Sequence, residues 1–202
     1  MREPKLIIKN YADFEKTILI VGVVHGDEPQ GEHFINEYLK HDLKPGKNRV
    51  FFIPRLNDCK TRTNANVVDL NRNFPTKNWE SSEKNEFWGG EHPGSEPQTR
   101  FLIKLIEENN FDAIITIHAP YKIVNYDGEQ SLSLAEKIAE ILNYPTQEDI
   151  GYPTPGSFGT YCGLERGITT VTIEVEEGLG KQKFGLLTKK FFEIFEYLEN
   201  SY

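Results

Sequence analysis

The longest apolar run in this chain, Thr17–Val24 (with Ile18, Leu19, Ile20, Val21, Val23 and Val24), stops at His25-Gly26-Asp27-Glu28. A β-branched-rich apolar stretch, with no polar alternation and a glycine-bearing loop after it, predicts a strand buried on both faces. Strands of that kind sit inside sheets covered by helices on each side. The run is also far too short to cross a bilayer. The loop behind it offers an imidazole and a carboxylate three positions apart, both of them ligand types that zinc favours. Two ligands make half a site, so a third must come from elsewhere in the chain.

The remaining pattern alternates between two periods. Predicted strands cover Leu6–Lys9, Val50–Ile53, Ala113–His118, a short Lys122–Asn125 and Ile168–Val175. Predicted helices cover Gln30–Leu39, Gln98–Asn109, Leu132–Leu142 and Phe184–Leu198, each with apolar residues at helical spacing. This predicts an α/β fold: a mixed, mostly parallel central sheet with helices on both faces, in one domain spanning 1–202. Pro29 suits the first turn of the first helix and sets Glu28 at a strand-to-helix junction. Between Arg55 and Pro97 periodicity fades, and Trp79, Phe87 and Trp88 predict an ordered, packed loop region.

A net charge of −8 and a pI near 5.2 speak against nucleic acid or an anionic membrane as partner, and against an anionic substrate unless local arginines offset the field. The N-terminal stretch from Met1 to Lys9 has no secretory leader pattern, so the expectation is a cytoplasmic protein. Cys59 and Cys162 are too few for a disulfide framework or a thiolate zinc site, and both are read as unpaired thiols.

His118, at the carboxyl end of its strand, occupies the position where open α/β sheets bind ligands. With His25 and Glu28 it would make a His₂Glu set that leaves a fourth position for water. His33 and His41 are expected to be solvated, and His92 to lie in a loop. Glu174 is the candidate general base, because a carboxylate between Ile173 and Val175 needs a task or a partner. Glu176 falls on the same strand face, and the alternative is that both are solvated edge carboxylates; Glu176-Glu177-Gly178, however, reads as an exiting turn. Asp69-Leu70-Asn71-Arg72-Asn73-Phe74 is a dense polar cluster: Arg72 can grip a carboxylate, Asn71 can add a donor, and Asp69 can orient a ligating imidazole. Arg62 could stabilise an oxyanion, and Arg55, Arg62 and Arg72 together suggest an anion pocket. Gly151–Gly159 is a turn-rich loop carrying one phenol, Tyr152, and such loops often cover active sites.

Taken in order, His25-x-x-Glu28, Lys60-Thr61-Arg62, Asp69-Leu70-Asn71-Arg72-Asn73-Phe74, His118, Tyr152 and Glu174 resemble the zinc carboxypeptidase family (metallopeptidase M14). The resemblance implies one Zn²⁺ per chain on His25, Glu28 and His118, with Glu174 as base and Arg62 polarising the scissile carbonyl. It also implies that Asn71 and Arg72 hold the substrate's terminal carboxylate and that Tyr152 closes over it. Gly151-Tyr152-x-Thr154-Pro155-Gly156-Ser157-Phe158-Gly159 and Pro93-Gly94-Ser95-Glu96-Pro97 look most like the branch that cuts the γ-D-glutamyl–meso-diaminopimelate bond of cell-wall peptides during recycling. The expected substrate is thus a small anionic peptide. Where many relatives carry Asn-Pro-Asp-Gly, this chain has Leu56-Asn57-Asp58-Cys59 before Arg62. Rival readings are a deacylase of the aspartoacylase or succinylglutamate desuccinylase type, a periplasmic DL-carboxypeptidase, and a non-catalytic zinc or peptidoglycan-fragment binding module.

Overall fold

The computed structural model describes residues 3–9, 13–41 and 46–202; Met1 and Arg2, part of the stretch read for a leader, lie outside them. Seven strands form one sheet: β1 (Ile7–Lys9), β2 (Thr17–Gly22), β3 (Arg49–Ile53), β4 (Ala113–His118), β5 (Ile123–Asp127), β6 (Thr146–Gln147) and β7 (Thr169–Glu174). Their spatial order is β1-β3-β2-β4-β7-β5-β6. The central pairs β3/β2, β2/β4 and β4/β7 are parallel, while β1 and β5 run antiparallel to β3 and β7. The sheet is therefore mixed and mostly parallel, as its apolar central strands predict.

Side chains alternate across this sheet and build two cores. On one face Ile18, Ile20, Ile115, Ile117, Val171 and Ile173 meet three helices: α1 (Gln30–Leu39), α3 (Leu132–Leu142) and α4 (Lys181–Asn200). Phe34 of α1 stacks on Phe191 of α4 with centroids 4.0 Å apart. On the other face Leu19, Val21 and Ile114 meet Leu102, Leu105 and Ile106 of α2 (Pro97–Glu108), with Leu70, Phe74, Phe158 and Tyr161 from the loops.

Several boundaries differ from the sequence reading for physical reasons. The first long strand ends at Gly22, because Val23 takes a left-handed φ of 53° and turns the chain out of the ladder. Val23 and Val24 remain buried, so the apolar run outlasts the strand. β5 begins one residue late, after Lys122 (φ 57°), and continues to Asp127 through its pairing with β7. Pro29 caps α1 from outside its first turn. β6 and a π-helical turn at Thr160–Leu164 had no counterpart in the sequence pattern.

His33 is a correction: instead of being solvated it is part-buried, its ring 4.8 Å from that of Phe184 and its Nε2 3.4 Å from the Thr188 hydroxyl. His41 and His92 are exposed. Both cysteines are free thiols.

Candidate metal centre

Parallel strands β2 and β4 end side by side, which delivers His25 and His118 to one place. The loop 23–28 leaves β2 under tight constraints. Gly26 donates its N–H to Thr61 O (3.0 Å), and a Cβ on it would run into the Cys59 carbonyl oxygen. Only glycine lets the two loops touch there. The Leu56–Cys59 segment is well held: Leu56 N and Asn57 N bond to Gly22 O and Val23 O, and the Asn57 amide bridges Cys59 N and Arg62 O. The departure from the family's Asn-Pro-Asp-Gly thus leaves an ordered path to Arg62.

His25, Glu28 and His118 are all buried, and one potential ligand atom from each lies within 4.8 Å of the others. Glu28 sits between the rings, with Oε1 2.8 Å from His25 Nδ1 and Oε2 2.9 Å from His118 Nδ1. The two Nδ1 atoms are 3.3 Å apart. Two imidazole nitrogens and a carboxylate converging in a buried pocket are a set that suits a divalent cation such as zinc.

Behind the rings, Asp69 is fully buried and serves three partners. Its Oδ1 accepts from His25 Nε2 (3.0 Å) and Asn71 N (2.8 Å), while Oδ2 accepts from Arg62 Nε (3.0 Å) and Nη2 (2.8 Å). The bond to Nε2 leaves His25 Nδ1 facing Glu28 and His118, the orienting task expected of a carboxylate behind a ligand. No pattern in the sequence indicates that the same carboxylate also holds Arg62. Burial works against charge on both members of the His25–Asp69 pair, yet their contact outweighs it. His25 rises to about 9, with Glu28 contributing, and Asp69 falls well below the usual carboxylate range. Burial also opposes ionisation of Glu28, but His118 and His25 hold it at about 2.

Glu174 ends β7 directly beside His118 in the β4/β7 register. It is buried, and its Oε2 has no hydrogen-bond partner among the described residues. Burial, reinforced by the Glu28 charge, raises its pKa against the pull of His118 and His25. Glu176 instead faces solvent, with Lys122 Nζ 3.4 Å away. Of the two carboxylates only Glu174 turns toward the cluster.

Arg72 is buried and anchored through its own chain, Nη1 donating to Asn71 O at 2.8 Å. Asn71 Oδ1 accepts Phe158 N (2.9 Å), which leaves its amide N–H groups for the cavity. Tyr152 is a shared wall between two cavities, one of about 650 Å³ with Arg62, Arg72 and Tyr121, the other of about 480 Å³ with Asn71 and Glu174. Burial, followed by Tyr121, pushes the Tyr152 phenol up to about 12, so it stays a donor at neutral pH. Arg55 does not join this group. It pairs with Glu32 (2.8 Å) and braces the Asn57 carbonyl, which removes it from the expected anion pocket.

Murein peptide amidase A of Vibrio campbellii is 34% identical over 177 residues, 78% of this chain and 68% of that protein. The protein of the same name from Escherichia coli (strain K12) is 33% identical over 71% of this chain and 65% of its own length, so the chain spans about two thirds of these relatives. The crystal structure of murein-tripeptide amidase MpaA from Escherichia coli O157 superposes with a TM-score of 0.80 at 26% identity, covering 95% of this chain and 84% of that one. Residues 55–191 match the family described as zinc carboxypeptidase, Peptidase_M14. With the His-Glu-His cluster hydrogen-bonded through His25 to Asp69 of the Asp-Leu-Asn-Arg segment, the chain belongs to the zinc carboxypeptidase family.

Proposed function

We propose that this chain, as one catalytic domain carrying one zinc ion, hydrolyses the γ-D-glutamyl–meso-diaminopimelate amide bond of a small anionic murein peptide in the cytoplasm. The observation that carries the reading is Glu174: a buried carboxylate whose Oε2 has no hydrogen-bond partner among the described residues, beside a His-Glu-His cluster, in a chain 34% identical to murein peptide amidase A. No helix among the described residues is long and apolar enough to cross a membrane, which agrees with that setting.

In this reading His25, Glu28 and His118 would hold the zinc, which would supply Lewis acidity to the attacking water and the scissile carbonyl. Glu174 takes the proton from the water and hands it to the leaving amine; its raised pKa suits both halves of that task. Arg62, fixed by Asp69, donates to the carbonyl oxygen as negative charge develops there. Arg72 and Asn71 bind the terminal carboxylate, and Tyr152 closes over it. Arg62 and Arg72 at short range offset the net charge of −8, which solvent and salt screen at distance.

Mass spectrometry of L-Ala-γ-D-Glu-meso-diaminopimelate before and after incubation, with metal analysis, tests the reading. Release of diaminopimelate is the expected result; turnover of N-acyl amino acids alone would establish the deacylase instead. Glu174→Gln should retain zinc and peptide binding while losing about 10²–10⁴-fold in rate. Undiminished hydrolysis would remove Glu174 from the mechanism.

A further inference from the structure

Trp88 packs as its place in the loop region predicts, but its neighbour Phe87 is 45% exposed. A phenyl ring left so far in water gains little from burial. What it does touch is charged. Its ring lies under the Arg62 guanidinium, with Cζ 4.8 Å from the ring centroid, and both residues line the cavity of about 650 Å³. That distance is within the range at which an aromatic face attracts a cation.

Arg62 needs a second constraint. Its Nε and Nη2 both donate to one oxygen, Asp69 Oδ2, because Oδ1 already accepts from His25 Nε2 and Asn71 N. A guanidinium fork that closes on two carboxylate oxygens has its orientation fixed. A fork that closes on a single oxygen can rock about it. The Phe87 ring covers one face of the guanidinium and blocks rocking toward that side. Nη1 makes no hydrogen bond among the described residues, which leaves it for the carbonyl oxygen of a substrate.

The ring is held in turn by the segment that carries Asp69. Trp88 O accepts the Asp69 N–H at 2.8 Å, one residue from Phe87. Phe87 N donates to Asn85 Oδ1 (2.8 Å), Trp88 N to Asn85 O (3.1 Å), and Asn73 Nδ2 to Gly89 O (2.6 Å). The carboxylate that grips the edge of Arg62 and the ring that covers its face are thus fixed relative to each other through one backbone hydrogen bond.

We infer that Phe87 is a positioning residue for Arg62, its ring holding the guanidinium at the angle from which Nη1 meets the oxyanion. The inference rests on the proposed hydrolysis for the role of Arg62, and it adds a residue that reading does not use. A donor aimed at charge that develops during reaction lowers the barrier without tightening substrate binding. Loss of the ring should therefore appear in kcat, whereas a ring that only walled the peptide would appear in KM.

The test is a double-mutant cycle on L-Ala-γ-D-Glu-meso-diaminopimelate with the zinc-loaded protein. Phe87→Leu keeps apolar bulk and removes the aromatic face. It should lower kcat about 5- to 30-fold with KM within about twofold, and Phe87→Tyr should restore most of the rate. In an Arg62→Ala background Phe87→Leu should change kcat by less than about twofold. The full loss in that background, or a raised KM with kcat unchanged, would overturn the assignment. A second readout needs no turnover: hydrogen exchange at the Arg62 Nε–H by NMR, the signal being identified by its absence in Arg62→Lys. Exchange should be faster in Phe87→Leu and unchanged in Phe87→Tyr. Should wild type leave the peptide intact, the amidase reading fails by itself and the NMR comparison alone decides the role of Phe87. Faster exchange only where the ring is lost supports it; equal exchange in all three proteins refutes it.

Discussion

Asp69→Asn is the substitution that best separates an orienting carboxylate from a merely buried one. Asparagine keeps the shape but has one acceptor oxygen where aspartate has two. With that oxygen toward His25 Nε2 and Asn71 N, the new NH₂ faces Arg62 Nε and Nη2, donor against donor; flipped, it confronts the other pair. Either way two charge-assisted bonds are lost, at about 1.5–3 kcal/mol each, so the cost is about 3–6 kcal/mol. That is a large share of the roughly 5–15 kcal/mol that stabilises a domain. Urea denaturation of the metal-free protein at pH 6 measures it, and zinc affinity from chelator competition should fall about 10–100-fold. The sign of the pH dependence follows from the two partners. Asp69 has its pKa depressed below 3.8, so its contribution is present above pH 4 and lost as pH falls through the lower folded value. His25 is raised from 6.5 to about 9, so its contribution is full below pH 6.5 and lost as pH rises through 9. The stability gap between wild type and variant should therefore be widest between about pH 4 and 6.5. A gap under about 1 kcal/mol at pH 6, with unchanged zinc affinity, would refute the claim that Asp69 orients His25.

Other outcomes follow from packing and ligation. Phe191→Ala empties the stack against Phe34 in the larger core and should cost about 3–5 kcal/mol in urea denaturation; a cost below 1 kcal/mol would mean the core collapses around the gap. Gly156 has φ +71° and a Cβ there would strike the Arg72 carbonyl oxygen and approach Trp79 Cδ1 at 2.7 Å. Gly156→Ala should therefore lower stability by about 1–3 kcal/mol and weaken peptide binding through Arg72, read as a raised KM. Stripping metal with a chelator should lower the melting temperature, and zinc at about 100 times its Kd should restore about 2.7 kcal/mol; a melting temperature indifferent to zinc would leave the cluster without a cation.

The fold was legible because its strongest signals are periodic and long. Thr17–Gly22, Ala113–His118 and the four principal helices carry enough apolar repeats to be placed within a few residues. What escaped has no period to read. β6 is a two-residue strand whose existence depends on pairing with β5, and the turn at Thr160–Leu164 is one wide helical loop. Boundaries moved where the backbone enters the left-handed region at Val23 and Lys122, because neither residue type announces that conformation.

The polar residues divide along a different line. His25, Glu28, His118, Asp69 and Glu174 could be named from sequence because each stands at a strand end or in a compact motif, and the parallel sheet brings strand ends together. Arg55 was grouped with Arg62 and Arg72 because all lie in one aperiodic stretch, yet charge and proximity in sequence do not fix direction; Glu32 claims Arg55, and Asp69 claims Arg62.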